Sequence, residues 1–149
     1  MPAQRKVRIR SMTLKDVPAA VAIERRVTRK RGGTGLDRNL RARLKAGHGS
    51  VCLAAPVGDR LGGFIVAEAR GVEFGEAEPV GWVEVVGVDP EFQGQGIGTA
   101  LGEEALRRLR RRGARRVKTL VAWDAGEMIS YFRALGFRRA NSVLLETER

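Results

Sequence analysis

Residues 80–112 constrain this chain more than any other stretch. They read VGWVEVVGVDPEFQGQGIGTALGEEALRRLRRR: an apolar run closed by Asp89-Pro90, a glycine-rich turn, then a long helical pattern. A strand, a glycine-rich turn and a helix in succession make a cradle for phosphate. Glycine lets the backbone come close to an anion, and the helix's first turn presents N–H groups with no intrahelical partner. Taken alone, the pattern also fits a plain tight turn. Two other phosphate-binding patterns are excluded. A Walker loop needs Gly-Lys-Ser/Thr, whereas Gly98 is followed by Thr99 with no lysine near. A dinucleotide fingerprint needs an acidic residue about 20 positions on, and residues 118–122 hold none.

The remaining composition narrows the class. The chain has 149 residues, 43% apolar and 30% charged, which suits one globular domain with a sizeable core. No run approaches the ~20 apolar residues of a membrane span. The basic opening MPAQRKVRIR has no apolar stretch after it, so no signal peptide is expected. Cys52 and His48 are the only cysteine and histidine. That excludes an intrachain disulfide and a His/Cys zinc site, so no metal is expected, and it fits a reducing cytoplasm. The formal charge is +11, nearly all of it arginine. Such a surface attracts anions, including nucleotide phosphates, nucleic acid and acidic protein faces; arginine usage for other reasons is the alternative.

In order, Val7 to Arg10 alternates as a first strand, and Thr13-Leu14-Lys15-Asp16 has capping-box spacing before a helix carrying Val17, Ala20, Val21 and Ile23 inward. A basic, glycine-rich loop spans residues 29–35. Asp37 is placed to cap a second helix with Leu40 and Leu44 inward, ended by Gly47-His48-Gly49. Ser50 to Pro56 and Gly63 to Arg70 read as a hairpin about Gly58-Asp59-Arg60, with Cys52 a small core residue. An acidic loop follows, with Glu73, Glu76 and Glu78. A further strand is expected over residues 116–122, a helix to Leu135 capped by Gly136, and a closing hairpin over residues 137–146 turning at Asn141-Ser142.

Strict alternation places Trp82, Glu84, Val86 and Val88 on one face of the central strand. Glu84 is then a carboxylate inside an apolar strand leading into the cradle. Burial there favours the neutral form, which is what a general base for an ammonium group would use; an ion pair with an arginine is the alternative. The run of seven arginines over residues 107–116 resembles a nucleic-acid patch, and equally a solvated helix face. The acidic loop is either a solvated turn or a surface facing a cationic amine.

Gln93-x-x-Gly96-x-Gly98, preceded by Val86-Gly87-Val88-Asp89-Pro90, closely resembles motif A of the GNAT acetyltransferases. Downstream, Tyr131-Phe132-Arg133-Ala134-Leu135-Gly136-Phe137 is similar to that family's YxxLGF segment, in the family's order and spacing. The resemblance implies a single α/β (α+β) domain over residues 1–149, with a mixed, mainly antiparallel sheet of about six or seven strands and helices on both faces. It implies acetyl-CoA as donor, lying where two central strands splay. Backbone groups of Val86, Gly87 and Val88 would pair with the pantetheine and acetyl carbonyl. Gln93, Gly94, Gln95, Gly96, Ile97, Gly98 and Thr99 would hold the pyrophosphate, and Phe132 would lie against the cofactor. A primary amine, on a small molecule or a protein, would attack the thioester directly. The alternative is an acyl-CoA-binding module docking on RNA or ribosomes. Either state, monomer or homodimer, is compatible. Two departures matter. Phe132 stands where many members carry a proton-donating tyrosine, and Tyr131 is one residue earlier, about 100° round the helix. Ala125, beside Asp124, stands where an asparagine often contacts CoA. Glu84 as base and Tyr131 as acid are the catalytic candidates.

Overall fold

The computed structural model describes residues 6–28, 35–47, 50–73 and 75–149. His48 and the basic loop at residues 29–34 lie outside them. The described elements run β1 (Arg10–Ser11), α1 (Val17–Thr28), α2 (Leu36–Ala46), β2 (Ser50–Val57), β3 (Arg60–Val72), β4 (Pro79–Val88), α3 (Ile97–Arg111), β5 (Arg116–Thr119) and α4 (Gly126–Ala134). They form one sheet ordered β1-β2-β3-β4-β5. All neighbours are antiparallel except β4 and β5, which α3 connects as a parallel pair.

Alternation along β2 and β3 divides the core in two. Val51, Leu53, Ala55, Ile65 and Ala67 meet the α3 stripe Ile97, Leu101, Ala105 and Leu109, together with Phe132 of α4. On the other face Cys52, Ala54, Phe64 and Val66 meet Val17, Ala20, Ile23, Leu36 and Leu40 from α1 and α2. Helices therefore cover both faces, and the apolar periods read from sequence bury as their spacing requires.

Four local expectations are corrected. The first strand is confined to Arg10–Ser11; Arg10 instead clamps Asp16 with both guanidinium nitrogens at 2.7 and 2.8 Å. Helix α2 starts one residue before Asp37, after Gly35 at φ +77°, and Asp37 pairs with Arg41 on the next turn at 2.9 Å. The strand after α3 stops at Thr119. The closing hairpin is absent among the described residues: residues 137–149 form no strand, so the sheet has five strands rather than six or seven.

Candidate active site

The parallel pairing of β4 with β5 runs from Val80↔Arg116 to Val83↔Thr119 and stops. The Thr119 hydroxyl closes it by donating to the Val83 carbonyl at 2.9 Å. Beyond this point β4 continues to Val88 paired with β3 alone, while the chain after β5 turns outward with Leu120 and Trp123 exposed. Among the described residues, the outer edge of β4 from Glu84 to Val88 thus has no strand beside it. It offers a row of backbone donors and acceptors in a wedge between diverging strands.

A bulge helps set that divergence. On β3 the consecutive residues Val66 and Ala67 face Val85 and Val83, so Glu84 is the extra residue on β4. The bulge also overturns the alternation expected from sequence. Val83, Val86 and Val88 share the α3 face, whereas Val85 packs on the α1–α2 face, and Glu84 reaches Arg43 of α2. Glu84 is therefore on the opposite face from Val86 and Val88.

The glycine-rich turn lies at the open end of this wedge. Gly94 and Gly96 both have φ +81°, the left-handed conformation that glycine adopts without strain. Gly96 is the N-cap of α3 and supplies no side-chain partner to the first-turn amides of Ile97, Gly98 and Thr99. The turn is held from behind by buried Asp89. Its carboxylate accepts from the Glu91 N–H at 3.0 Å and pairs with Arg26 of α1 at 3.2 Å and Arg60 of β3 at 3.3 Å. Gln93 Nε2 donates to the Val88 carbonyl at 3.5 Å. Uncapped amides at a helix N-terminus, behind a turn with no side chain at Gly94 or Gly96, fit a pyrophosphate.

Helix α4 docks against the same turn of α3. The Tyr131 hydroxyl donates to the Gly98 carbonyl at 2.7 Å. Gly98 and Gly102, one turn apart, form the groove that receives it: a Cβ on Gly102 would lie 2.5 Å from Leu135 Cδ1 and 2.7 Å from Tyr131 Oη. Burial pushes the Tyr131 phenol up to about 12. Phe132 points elsewhere, into the core, edge-on to both Tyr131 and Phe137 at 4.9 and 5.1 Å. The two residues thus occupy different surroundings, as their angular separation on the helix requires.

Glu84 sits between two guanidinium groups, with Arg43 Nη2 at 2.5 Å and Arg70 Nη2 at 3.2 Å. Arg43 also reaches Glu68 at 3.0 Å. Accepting a proton at Glu84 means releasing one of these arginines. On the same side of the sheet, α1, α2 and the end of β4 enclose a cavity of about 280 Å³ whose lining includes Glu24, Val27, Asn39, Phe64, Val85 and Gly87. Cys52 is buried, and burial pushes its thiol up to about 11. It is no nucleophile at neutral pH.

The charged segments are largely satisfied within the chain. Arg107 and Arg108 pair with Glu104, Arg115 with Glu78 and Arg116 with Glu76, while Arg112 donates to the Ser50 carbonyl. Glu73 accepts from the Trp82 indole at 2.7 Å. The acidic loop is thereby tied to β4 and β5. Arg43, Gly102 and the Glu24–Asn39 wall escaped the sequence reading. Gly102 alone had a signal, its four-residue spacing from Gly98.

An open strand edge meets an uncapped helix N-terminus, an arrangement that fits an extended, phosphate-bearing molecule. Residues 18–137 match the model of the acetyltransferase (GNAT) family, and the chain belongs to that family. It is 51% identical over 59 residues to a mycothiol acetyltransferase of Saccharomonospora viridis, a match covering 40% of this chain and 19% of the relative. An uncharacterized N-acetyltransferase of Methanocaldococcus jannaschii is 32% identical over 81 residues, or 54% of this chain and 36% of that protein. The chain thus spans about a fifth of the mycothiol acetyltransferases it matches, at 19% and 21%. Among solved structures, aminoglycoside N-acetyltransferase AAC(6')-Iy with CoA superposes with a TM-score of 0.83 at 18% identity, covering 100% of this chain and 99% of that one. A transcriptional regulator from Bacillus halodurans gives 0.80 at 19% identity, covering 96% and 100%. At such identities the structural likeness establishes the fold. No helix among the described residues is long and apolar enough to cross a membrane.

Proposed function

We propose that this chain is an N-acetyltransferase that uses acetyl-CoA to acetylate a primary amine. The observation that carries this reading is the junction of the open β4 edge with the uncapped N-terminus of α3. When bound, acetyl-CoA supplies the acetyl group as a thioester. The amides of the residue 94–99 turn hold its pyrophosphate, and backbone groups of Val86 and Val88 orient the pantetheine arm and acetyl carbonyl. Phe132 supports the cleft from the core.

The amine is a small-molecule amine, presented from the cavity beside Val85 and Gly87, with Glu24 and Asn39 as its polar wall. The named relatives are acetyltransferases of mycothiol and aminoglycosides, which favours that class over a protein acceptor. Attack is direct, because Cys52 is buried and inert. Glu84 takes the ammonium proton, drawn from its arginine clamp toward the neighbouring cavity. Tyr131 is a positioning residue that fixes the first turn of α3 through Gly98. The alternative of a non-catalytic RNA-docking module is not favoured, since most of the arginine run is already paired within the chain.

Thermal melting with acetyl-CoA tests the cofactor. At about 100 times the dissociation constant, one-site binding adds roughly 2.7 kcal/mol, a rise of several degrees for a domain of this size. Amine-dependent release of free thiol then tests the reaction. No thermal shift at millimolar acetyl-CoA would overturn the proposal.

A further inference from the structure

We propose that the acceptor is a monoamine on an apolar body about the size of one aromatic ring, held in the cavity between α1, α2 and β4. The inference rests on the acetyl-transfer reading and names the substrate class of that same site. The walls are built from pairs of residues on two helices. Glu24 and Val27 stand three apart on α1, and Leu36 and Asn39 three apart on α2, so each pair shares one helix face. Phe64 makes the floor. It stands opposite Gly87 in the register of β3 with β4, and a Cβ on Gly87 would lie 2.7 Å from Phe64 Cε1. The absent side chain makes room for the ring against β4.

Surface, size and charge select the chemistry. Val27, Leu36, Phe64 and Val85 give the lining an aliphatic and aromatic character. Val27 is 44% exposed, so an apolar ligand covers aliphatic surface that water otherwise meets. The cavity measures about 280 Å³. An apolar cavity of roughly 150 Å³ takes up one benzene, so one ring with a short aminoalkyl arm fills this one. Glu24 is the only acidic residue among the described residues of the lining, and the chain carries a formal charge of +11. A single ammonium suits that balance. A polycation would bring further charges without carboxylates to meet them, into a field that repels them. Position agrees with the chemistry. Val85, Val86 and Gly87 line the cavity and belong to the open edge of β4. An amine whose body occupies the cavity presents its nitrogen to the edge along which the thioester is proposed to lie.

Thiol release by the full chain at saturating acetyl-CoA tests this on a panel of amines. The panel holds the n-alkylamines from propylamine to hexylamine, whose basicity is nearly constant, with 2-phenylethylamine, spermidine and kanamycin. Each added methylene is expected to raise kcat/KM about fourfold until the cavity is full. For 2-phenylethylamine, kcat/KM is expected to exceed that for spermidine or kanamycin at least about tenfold. Val27→Asp exchanges an apolar wall for a second carboxylate. It is expected to lower kcat/KM for 2-phenylethylamine at least about tenfold and to raise it for spermidine. Should that variant fail to fold, the wild-type series decides alone. A flat alkylamine series, or a preference for spermidine or kanamycin, would overturn the inference and leave acetyl transfer standing. Turnover of none of these amines would overturn it too, and the acetyl-CoA melting shift then separates the two readings. A persisting shift keeps the donor site, whereas its absence removes both.

Discussion

The Tyr131 hydroxyl donates to the Gly98 carbonyl at 2.7 Å, so the only tyrosine of the chain joins α4 to the first turn of α3, the helix proposed to receive the cofactor. Removing the hydroxyl with Tyr131→Phe should cost about 0.5–1.5 kcal/mol, the net value of one such bond. It should raise the KM for acetyl-CoA more than it lowers kcat. A proton-donating tyrosine would give the reverse split, with kcat falling most. The phenol also titrates without overlap from another tyrosine. Its absorbance should change near pH 12 rather than 10, because burial disfavours the phenolate. The folded value lies above the unfolded one, so this contribution to stability is complete below about pH 10 and is lost as pH rises through about 12.

Glu84→Gln separates a base from a structural anion. A direct proton acceptor contributes roughly 10²–10⁴ in rate, so the variant should lose at least a hundredfold in kcat/KM. Arg43 keeps Glu68 at 3.0 Å, so the stability loss should stay near 1–2 kcal/mol rather than reach the 3–5 kcal/mol of an abandoned buried charge. A variant with full rate across pH would leave Glu84 as an anchor for Arg43 and Arg70 alone.

Gly63 sits where α3 begins its passage over the sheet. A Cβ there would lie 2.8 Å from Ile97 Cγ2, 3.0 Å from the Gly87 carbonyl oxygen and 3.1 Å from Leu101 Cδ1. Two of these neighbours are anchored, one by branching at Cβ and one as backbone. Gly63→Ala should therefore destabilise by about 1–3 kcal/mol. Displacing Ile97 should also weaken acetyl-CoA binding, which calorimetry would read. Lower stability with unchanged affinity would show that the turn relaxes independently of the sheet contact.

The cradle was legible in sequence because it is local: glycines, a strand before and an apolar helix period after lie within residues 80–112. The two-layer core was legible for the same reason. The orientation of Glu84 was not, because one bulged residue reverses a period-two pattern and leaves no mark in the strand's own letters. Arg43 was hidden by distance: its partner on β4 lies 41 positions away, and arginines are too frequent here for any one to stand out. The closing hairpin was read from apolar residues beside a polar pair. Those residues have the right pattern for a strand, but Asn141-Ser142 lacks the glycine that a tight reversal favours.

Asp16 gives the acid-side prediction. The Arg10 guanidinium, donating to both carboxylate oxygens, holds its carboxyl below the usual value of 3.8, and the Thr13 N–H adds to the effect at 2.8 Å. The folded value is depressed relative to the unfolded chain. The stabilisation is therefore present above about 3.8 and is lost as pH falls through the folded value. Asp16→Asn should lower stability by about 1–2 kcal/mol at pH 7, where the carboxylate both accepts from the Thr13 N–H and pairs with Arg10. Denaturant titrations of the two proteins should converge as pH drops below 3.8, since the wild-type carboxylate is then protonated as well. A difference that persisted undiminished into that range would assign the loss to packing around Asp16 rather than to its charge.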